Sequence, residues 1–181
     1  MSADDVASSG TDDLAGLFTV AGVAADVRID APARGSRWGI VVARFNDAVT
    51  SRLYAGAVET LVAAGAHAEH IRAVTVPGAV EVPLAVRELA ETSHYSGIIA
   101  LGCVIRGETS HYDYVCRFVA DGVLRVQLDH HIPVGFGVLT VEDVDQANAR
   151  SRSDAGGHNV GADAARAVVE LAALARMIRS S

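Results

Sequence analysis

The feature that most constrains the fold of this chain is an alternation of short apolar runs with longer segments of helical spacing. Residues 39–43 form a continuous apolar run of strand length, as expected for a strand that is buried on both faces. In the segment that follows, Leu53, Ala57 and Leu61 recur at helical spacing, and Gly65 is a plausible end to that helix. The chain therefore begins its regular part with a strand followed by a helix.

The same alternation continues along the rest of the chain. It predicts strands at residues 71–76, 98–101 and 133–139, and helices at residues 79–92, 110–129, 143–150 and 161–179. Asn46 and Asp47 are the predicted caps of the first helix. Strictly alternating strands and helices imply a four-stranded parallel sheet flanked by helices, which is a three-layer α/β/α sandwich.

The part before this pattern is predicted to be a flexible N-terminal arm, residues 1–37, ahead of a single α/β domain, residues 38–181. Residues 1–13 are rich in Ser, Asp and Gly, and we expect them to be disordered. The apolar residues 14–25 are compatible with a short strand. Residues 29–37 then form a predicted linker that contains Pro32 and Gly35.

Composition excludes several classes of protein. Half of the residues are apolar, which allows a sizeable core, and the net charge of −7 argues against a general nucleic-acid binder. No apolar run approaches the roughly 18 residues of a membrane span, and the polar N-terminus does not have the pattern of a secretory signal. We expect Cys103 and Cys116 to stay reduced and to pack. A cytoplasmic enzyme fits this composition.

Residues 101–111 follow the third predicted strand and form the most informative segment, because ligands of open α/β sheets bind beyond the carboxyl ends of the strands. Gly102, Gly107 and Thr109 are spaced as in a P-loop, but Glu108 stands at the lysine position. An acid there would repel nucleotide phosphates, which excludes an NTPase. A glycine turn that opens a helix remains, and its free N–H groups can bind an anion. The alternative is an ordinary tight turn.

His111 follows two residues after Thr109, in the first turn of the predicted helix. Histidine changes its charge near neutral pH, so an imidazole beside an anion site is suited to proton transfer. A surface histidine without a role is the alternative.

Three other strand ends carry candidate residues. Glu81 follows a Pro-Gly turn and either complements a helix dipole or binds an amide or polyol. Phe45 either stacks on a flat heterocycle or packs in the core. Arg150 either pairs with a phosphate or is a solvated surface charge.

Taken in this order, these segments resemble the lumazine synthases over residues 38–179. The most specific parts are residues 77–81, 100–115 and 137–140. The resemblance implies a transferase of riboflavin biosynthesis that condenses 5-amino-6-(D-ribitylamino)uracil with 3,4-dihydroxy-2-butanone 4-phosphate. Phosphate and water are released, and no metal or organic cofactor is needed. It also implies homo-oligomers, namely pentamers with sites between subunits, which in some members close into a hollow shell.

The resemblance also assigns roles to residues. His111 would relay protons, Phe45 would stack on the pyrimidine ring, and Glu81 would bind ribityl hydroxyls. Arg150 would be the main cation for the phosphate, and Phe136 would close the pocket from across the subunit boundary. The complete set of implied substrate-binding residues is Phe45, Asn46, Gly78, Ala79, Val80, Glu81, Cys103, Val104, Ile105, Gly107, Glu108, Thr109, Phe136 and Arg150.

Two positions depart from the family pattern. Val80 stands where an aromatic residue is frequent, and we expect little consequence. Val160 stands where a lysine that helps to bind phosphate is usual. Either His158 or Arg152 replaces that lysine, or phosphate binding depends on Arg150 and the glycine turn alone.

Other functions have less support. A non-catalytic scaffold or carrier of a flavin-like ligand is favoured by Val160 alone. The histidine pairs 67/70 and 130/131 lack the cysteines or carboxylates of a metal site. A flavodoxin-like electron carrier would need a hydroxyl-rich phosphate loop after the first strand.

Two sequence features bear on the size of the assembly. Pro32 and the long run between residues 150 and 161 favour a free pentamer, or a pair of pentamers, over a shell.

Overall fold

The computed structural model of the protein describes residues 19–20, 23–24, 35–152, 154 and 156–180. The elements in these ranges are β1 (Thr19–Val20), β2 (Val23–Ala24), β3 (Trp38–Ala43), α1 (Asp47–Ala63), β4 (Ile71–Val76), α2 (Val82–Glu91), β5 (Gly97–Ile105), α3 (His111–Asp129), β6 (Val134–Val141), α4 (Val144–Ala149) and α5 (Val160–Ser180). Short 3-10 helices occupy Ala68–His70 and Ala79–Glu81.

The structure describes only part of the region covered by the N-terminal predictions. Within the predicted strand region, β1 and β2 pair in antiparallel fashion. The predicted tail at residues 1–13 and most of the predicted linker lie outside the described residues. The division of the chain at residue 37 therefore stays a prediction.

The sheet of the domain has four parallel strands in the order β4-β3-β5-β6. Strands β3 and β4 pair from Trp38↔Ile71 to Ala43↔Val76. The carboxyl ends of β3, β4 and β5 therefore lie along one edge of the sheet. This edge is where an open α/β sheet binds its ligands.

Helices cover both faces of this sheet, which confirms the predicted three-layer α/β/α sandwich. On one face α1 and α5 bury Leu53, Leu61 and Val168 against the strands. On the other face α2 and α3 contribute residues such as Val86 and Val119. Each helix has an apolar stripe, and its burial against the sheet removes that stripe from water.

Two glycines allow α5 to approach its neighbours closely. A methyl group added at Gly161 would lie 2.1 Å from the carbonyl oxygen of Leu53 in α1, and one added at Gly135 would lie 2.4 Å from that of Ala164. Either position therefore excludes a larger side chain unless the helix moves.

Strand β5 is longer than predicted and includes Gly102, so the prediction that Gly102 forms part of a turn was wrong. The reason is continued pairing with β6, which runs through Val104↔Thr140 to Ile105↔Val141. As a result, the connection to α3 contains only residues 106–110.

The helix starts also differ from the predictions. The predicted helix at residues 79–92 begins as a 3-10 turn, and the α-helix starts at Val82 with Pro83 in its first turn. The prediction that the Asn46 side chain caps α1 was wrong, because its amide donates to the carbonyl of Cys103 instead. Asp47 accepts a hydrogen bond from the N–H of Ala48.

None of the helices in the described ranges combines the length and apolar character needed to cross a membrane.

Candidate active site

A cavity of about 360 Å³ lies over the carboxyl ends of β3, β4 and β5. Its volume falls within the usual range of small-molecule sites, roughly 300–1,000 Å³. The lining residues are Phe45, Asn46, Gly78, Ala79, Val80, Glu81, Cys103, Val104, Ile105, Gly107, Thr109, His111, Tyr112 and Val115. A larger cavity, of about 590 Å³, lies beside Trp38 and Pro133 at the opposite edge of the sheet and contains none of the predicted site residues.

Phe45 lies at the cavity mouth, immediately after β3. The N–H groups of Arg44 and Phe45 donate to the carbonyls of Val76 and Pro77, at 2.8 and 3.0 Å, and so extend the pairing of β3 with β4. The Phe45 residue is 72% exposed. The alternative of core packing is therefore wrong, and the ring is free to stack on a flat ligand.

The next residue, Asn46, connects two walls of the cavity. It has a left-handed backbone (φ 61°), which asparagine tolerates better than most residues. Its Nδ2 donates to the carbonyl oxygen of Cys103 at 2.9 Å, which joins the end of β3 to the end of β5.

Cys103 is buried in this wall, and its thiol is free, as is that of Cys116. Burial raises the pKa of the Cys103 thiol from 9.0 to about 11, against the opposing effect of the positive charge of Arg52. The group is therefore a neutral thiol at physiological pH, not a nucleophilic thiolate.

Glu81 closes the turn after β4 and also lines the cavity. Its Oε2 accepts a hydrogen bond from the N–H of Gly78 at 2.8 Å. Ala79 and Val80 lie between these two residues and line the same wall. The carboxylate is thus held in place by its own turn while it borders the ligand space.

The loop after β5 brings Gly107, Thr109 and His111 to the cavity, whereas Glu108 is not among the lining residues. Helix α3 begins at His111, and the Thr109 hydroxyl oxygen accepts from the His111 N–H at 3.4 Å. The first N–H groups of a helix have no partner within the helix, so this end of α3 can receive an anion.

The sequence reasoning missed Tyr112 and Val115, which also line the cavity. Val115 follows His111 by four residues and therefore lies on the same face of α3, a relation that helical spacing could have revealed. Tyr112 packs beneath a cation: the Arg106 guanidinium carbon lies 4.0 Å from the centre of its ring.

Phe136 and Arg150 do not line the cavity of their own chain. Phe136 lies on β6 in a separate shallow cleft, beside Leu124 and Gln127 of α3. The Arg150 guanidinium donates to the carbonyl of Gln146 in its own helix at 3.2 Å.

Both candidates to replace the missing lysine are already paired. Arg152 forms an ion pair with Asp154, which lowers the pKa of that carboxyl group. The His158 Nε2 lies 2.8 Å from a carboxylate oxygen of Asp163. Val160 itself is half-buried and packs against the core.

The sequence contains no lysine at any position. Its 15 Lys and Arg residues are therefore all arginines. Each ion pair among the described residues therefore uses arginine or histidine as its cation.

The histidine pairs have no metal-binding surroundings in the described part of the chain, where no three His, Cys, Asp or Glu side chains converge. The rings of His67 and His70 pack edge to face, with their centres 5.8 Å apart.

The fold and the cavity together define a class of protein: a three-layer α/β protein with a cavity of small-molecule size at the carboxyl edge of its sheet. Within this class, the family model described as 6,7-dimethyl-8-ribityllumazine synthase matches residues 35–176. That range covers more than half of the chain and includes every residue of the cavity. The chain belongs to the 6,7-dimethyl-8-ribityllumazine synthase family.

Proposed function

We propose that this protein condenses 5-amino-6-(D-ribitylamino)uracil with 3,4-dihydroxy-2-butanone 4-phosphate to form 6,7-dimethyl-8-ribityllumazine. The observation that carries the proposal is the convergence of Phe45, Glu81, Thr109 and His111 on one cavity. An exposed ring, a carboxylate, an anion-binding helix start and an imidazole are the groups that the two substrates require.

In this proposal each substrate would occupy its own region of the cavity. The pyrimidine ring would stack on Phe45, and its polar edge would meet the backbone of Ala79, Val104 and Ile105. Glu81 would accept hydrogen bonds from ribityl hydroxyls. The phosphate would bind at the start of α3, where Gly107 and Thr109 line the cavity.

The chemistry begins with attack of the pyrimidine amine on the ketone. A C=N bond forms and water leaves; a proton is then removed from the neighbouring carbon while the C–O bond to phosphate breaks, and the resulting enol tautomerises to a ketone. The ribityl-bearing nitrogen then attacks this ketone, and loss of a second water closes the ring. His111 would carry protons during imine formation and phosphate elimination. The chain has no lysine, so no side-chain amine competes for the ketone, and the imine forms on the substrate's own amine.

These demands are modest, because an aromatic diamine is already a nucleophile and phosphate is a good leaving group. Alignment of two substrates provides effective molarities of up to roughly 10⁵–10⁸ M. A positioned histidine adds typically about 10²–10⁴-fold. His111→Ala should therefore slow turnover without abolishing it, as measured by steady-state kinetics. Complete loss of turnover in a variant that assembles normally would contradict this mechanism.

A neighbouring subunit would complete the site. Val80 and Glu81 line both the cavity and a groove between α2 and α3. This groove carries the exposed apolar side chains of Leu84, Tyr114 and Phe118, which are typical of a protein interface. We propose a homo-oligomer, a pentamer or a multiple of pentamers, in which a neighbour on this face contributes Phe136 and Arg150.

The test is to mix the purified protein with both substrates and to follow the fluorescence of the lumazine, with sedimentation of the same sample. We expect lumazine to form and the protein to sediment as pentamers or larger. An assembled protein that binds the pyrimidine amine but forms no lumazine would instead indicate a non-catalytic scaffold or ligand carrier.

A further inference from the structure

The side chain of Arg106 joins three elements just outside the cavity. Its Nε donates to a Glu142 carboxylate oxygen at 2.7 Å, directly after β6. Its Nη2 donates to Asp113 at 3.2 Å, and its guanidinium plane covers the ring of Tyr112. Arg106 itself follows the last residue of β5, and its N–H donates to the carbonyl of Val141 at 2.9 Å.

Two of these three partners belong to the first turn of α3, the turn that begins with His111. Asp113 is held through its carboxylate and Tyr112 through its ring. Tyr112 also lines the cavity, whereas Arg106 does not, although its neighbours Ile105 and Gly107 do. The arginine therefore contacts the turn that carries the imidazole, but not the ligand space.

The exposure of this network indicates what it does. The side chains of Arg106, Asp113 and Glu142 are 38%, 60% and 57% exposed. Ion pairs at such exposure contribute little to the stability of a whole protein. They can still fix a local geometry, because the planar guanidinium binds two carboxylates and one ring in a single orientation.

Two other described hydrogen bonds at this turn involve site side chains, and both stay within the loop and α3: the long one from the His111 N–H to Thr109, and one between the Tyr112 hydroxyl and the Cys116 thiol. Ser110, the residue before the helix, provides no side-chain cap. The first turn of α3 thus lacks a side-chain N-cap, and the side chain of Arg106 connects it by polar contacts to the ends of β5 and β6.

We propose that Arg106 is a positioning residue, which holds the first turn of α3 so that the His111 imidazole faces the reacting atoms. This inference rests on the proposed function. A displacement of about 1 Å can cost on the order of 10²-fold in rate, so a small movement of this turn has a measurable effect.

The kinetic test is a double-mutant cycle between Arg106→Gln and His111→Ala. In the wild-type background we expect Arg106→Gln to lower kcat by about ten- to a hundredfold, with little change in the KM of the pyrimidine amine. In the His111→Ala background the same substitution should have almost no further effect on kcat, since it acts through His111. Reductions that simply multiply would overturn the proposal.

Two further variants separate the geometry of the Arg106 guanidinium from its charge, and from the general effect of removing an exposed arginine. Arg106→Lys keeps the charge but not the planar fork, so it should restore only part of the kcat. Arg166→Gln is the matched control, because it removes an exposed arginine that is paired with Asp163 within α5, away from the cavity; it should leave kcat unchanged. If Arg106→Gln does not fold, Glu142→Gln replaces it in the same cycle.

A crystal structure of Arg106→Gln provides a readout that does not depend on activity. We expect the first turn of α3, with His111, to be displaced or to adopt several conformers. An unchanged His111 would overturn the positioning role. If the wild-type protein forms no lumazine, the proposed function fails, while the structural comparison still decides whether Arg106 holds this turn.

Discussion

At the scale of single residues, two neighbours in the cavity wall show how the ends of β3 and β5 are joined. Asn46 adopts a left-handed backbone and donates its amide hydrogen to the carbonyl of Cys103. The conformation and the hydrogen bond contribute separately to stability, because glycine can supply the first without the second.

Substitution of Asn46 by glycine or alanine should separate the two contributions. Asn46→Gly loses only the hydrogen bond, so we expect a loss of about 1 kcal/mol in the free energy of unfolding. Asn46→Ala keeps a Cβ in the left-handed region but loses the polar side chain that lets asparagine tolerate this conformation, which should cost up to a further ~1–2 kcal/mol. Denaturant unfolding at one fixed protein concentration measures both. Equal losses would show that the backbone conformation carries no cost.

The buried thiol of Cys103 makes stability depend on alkaline pH. Its pKa is about 11 in the folded protein against the ordinary value of 9.0, so the unfolded chain releases this proton first. The contribution of the buried neutral thiol to the free energy of unfolding is complete below pH 9 and is lost as the pH rises through 11. Burial also raises the pKa of Tyr112 and of Cys116, in the same direction.

As the pH rises from about 8.5 to about 10.5, the free energy of unfolding should therefore fall less in the Cys103→Ser variant than in the wild-type protein. Denaturant titrations across that range measure the difference, and the absence of lysine simplifies them, since no side-chain ammonium group titrates there. Parallel pH profiles for the two proteins would show that the thiol titrates alike in both states.

At the scale of elements, the position of α5 depends on glycine. A methyl group at Gly161 would overlap the carbonyl of Leu53 in α1. Gly161→Ala should therefore force the two helices apart and reduce the free energy of unfolding by about 1–3 kcal/mol. Gly107→Ala is the control, because no atom of the described residues lies within 4 Å of its added methyl group. Equal losses in the two variants would contradict this account.

The elements themselves were predictable from sequence, and their ends were not. Strand β4 matches its predicted range although it is an edge strand with no buried residue, because a short run rich in β-branched residues that ends at a Pro-Gly turn marks a strand. Strand β5 continued past Gly102 because its partner β6 was long enough to pair with it. Such pairing joins residues that are far apart in the chain, so local patterns do not contain it.

The candidate site was predictable to a similar degree. Residues that follow strands, such as Phe45 and Glu81, were identified because parallel strands place their carboxyl ends at one edge. Tyr112 was missed because its position depends on the guanidinium of Arg106. Arg106 lies only six residues before Tyr112, but no single-sequence pattern shows that its side chain packs on that ring.

At the scale of the whole molecule, our proposal that the site is shared between subunits can be tested by mixing defective chains. Subunits with His111→Ala and subunits with Arg150→Gln are unfolded and refolded together in equal amounts. If each site takes His111 from one chain and Arg150 from its neighbour, about one site in four becomes intact. We expect lumazine formation to recover toward about a quarter of the wild-type rate.

The control mixes the His111→Ala chain with the double variant, in which no site can regain both residues. Recovery in the first mixture alone supports a shared site. Activity that stays at the average of the two separate variants would show that His111 and Arg150 serve the site of the same chain.

The absence of lysine also has a practical consequence. Reagents that acylate side-chain amines find none in this sequence, so they leave the arginine ion pairs intact. A single lysine introduced on an exposed helix face would be the only amine-bearing side chain of each subunit. Once the α-amino group is blocked, dyes, antigens or cross-linkers could be attached at one chosen side chain per subunit, at a spacing set by the symmetry of the proposed assembly.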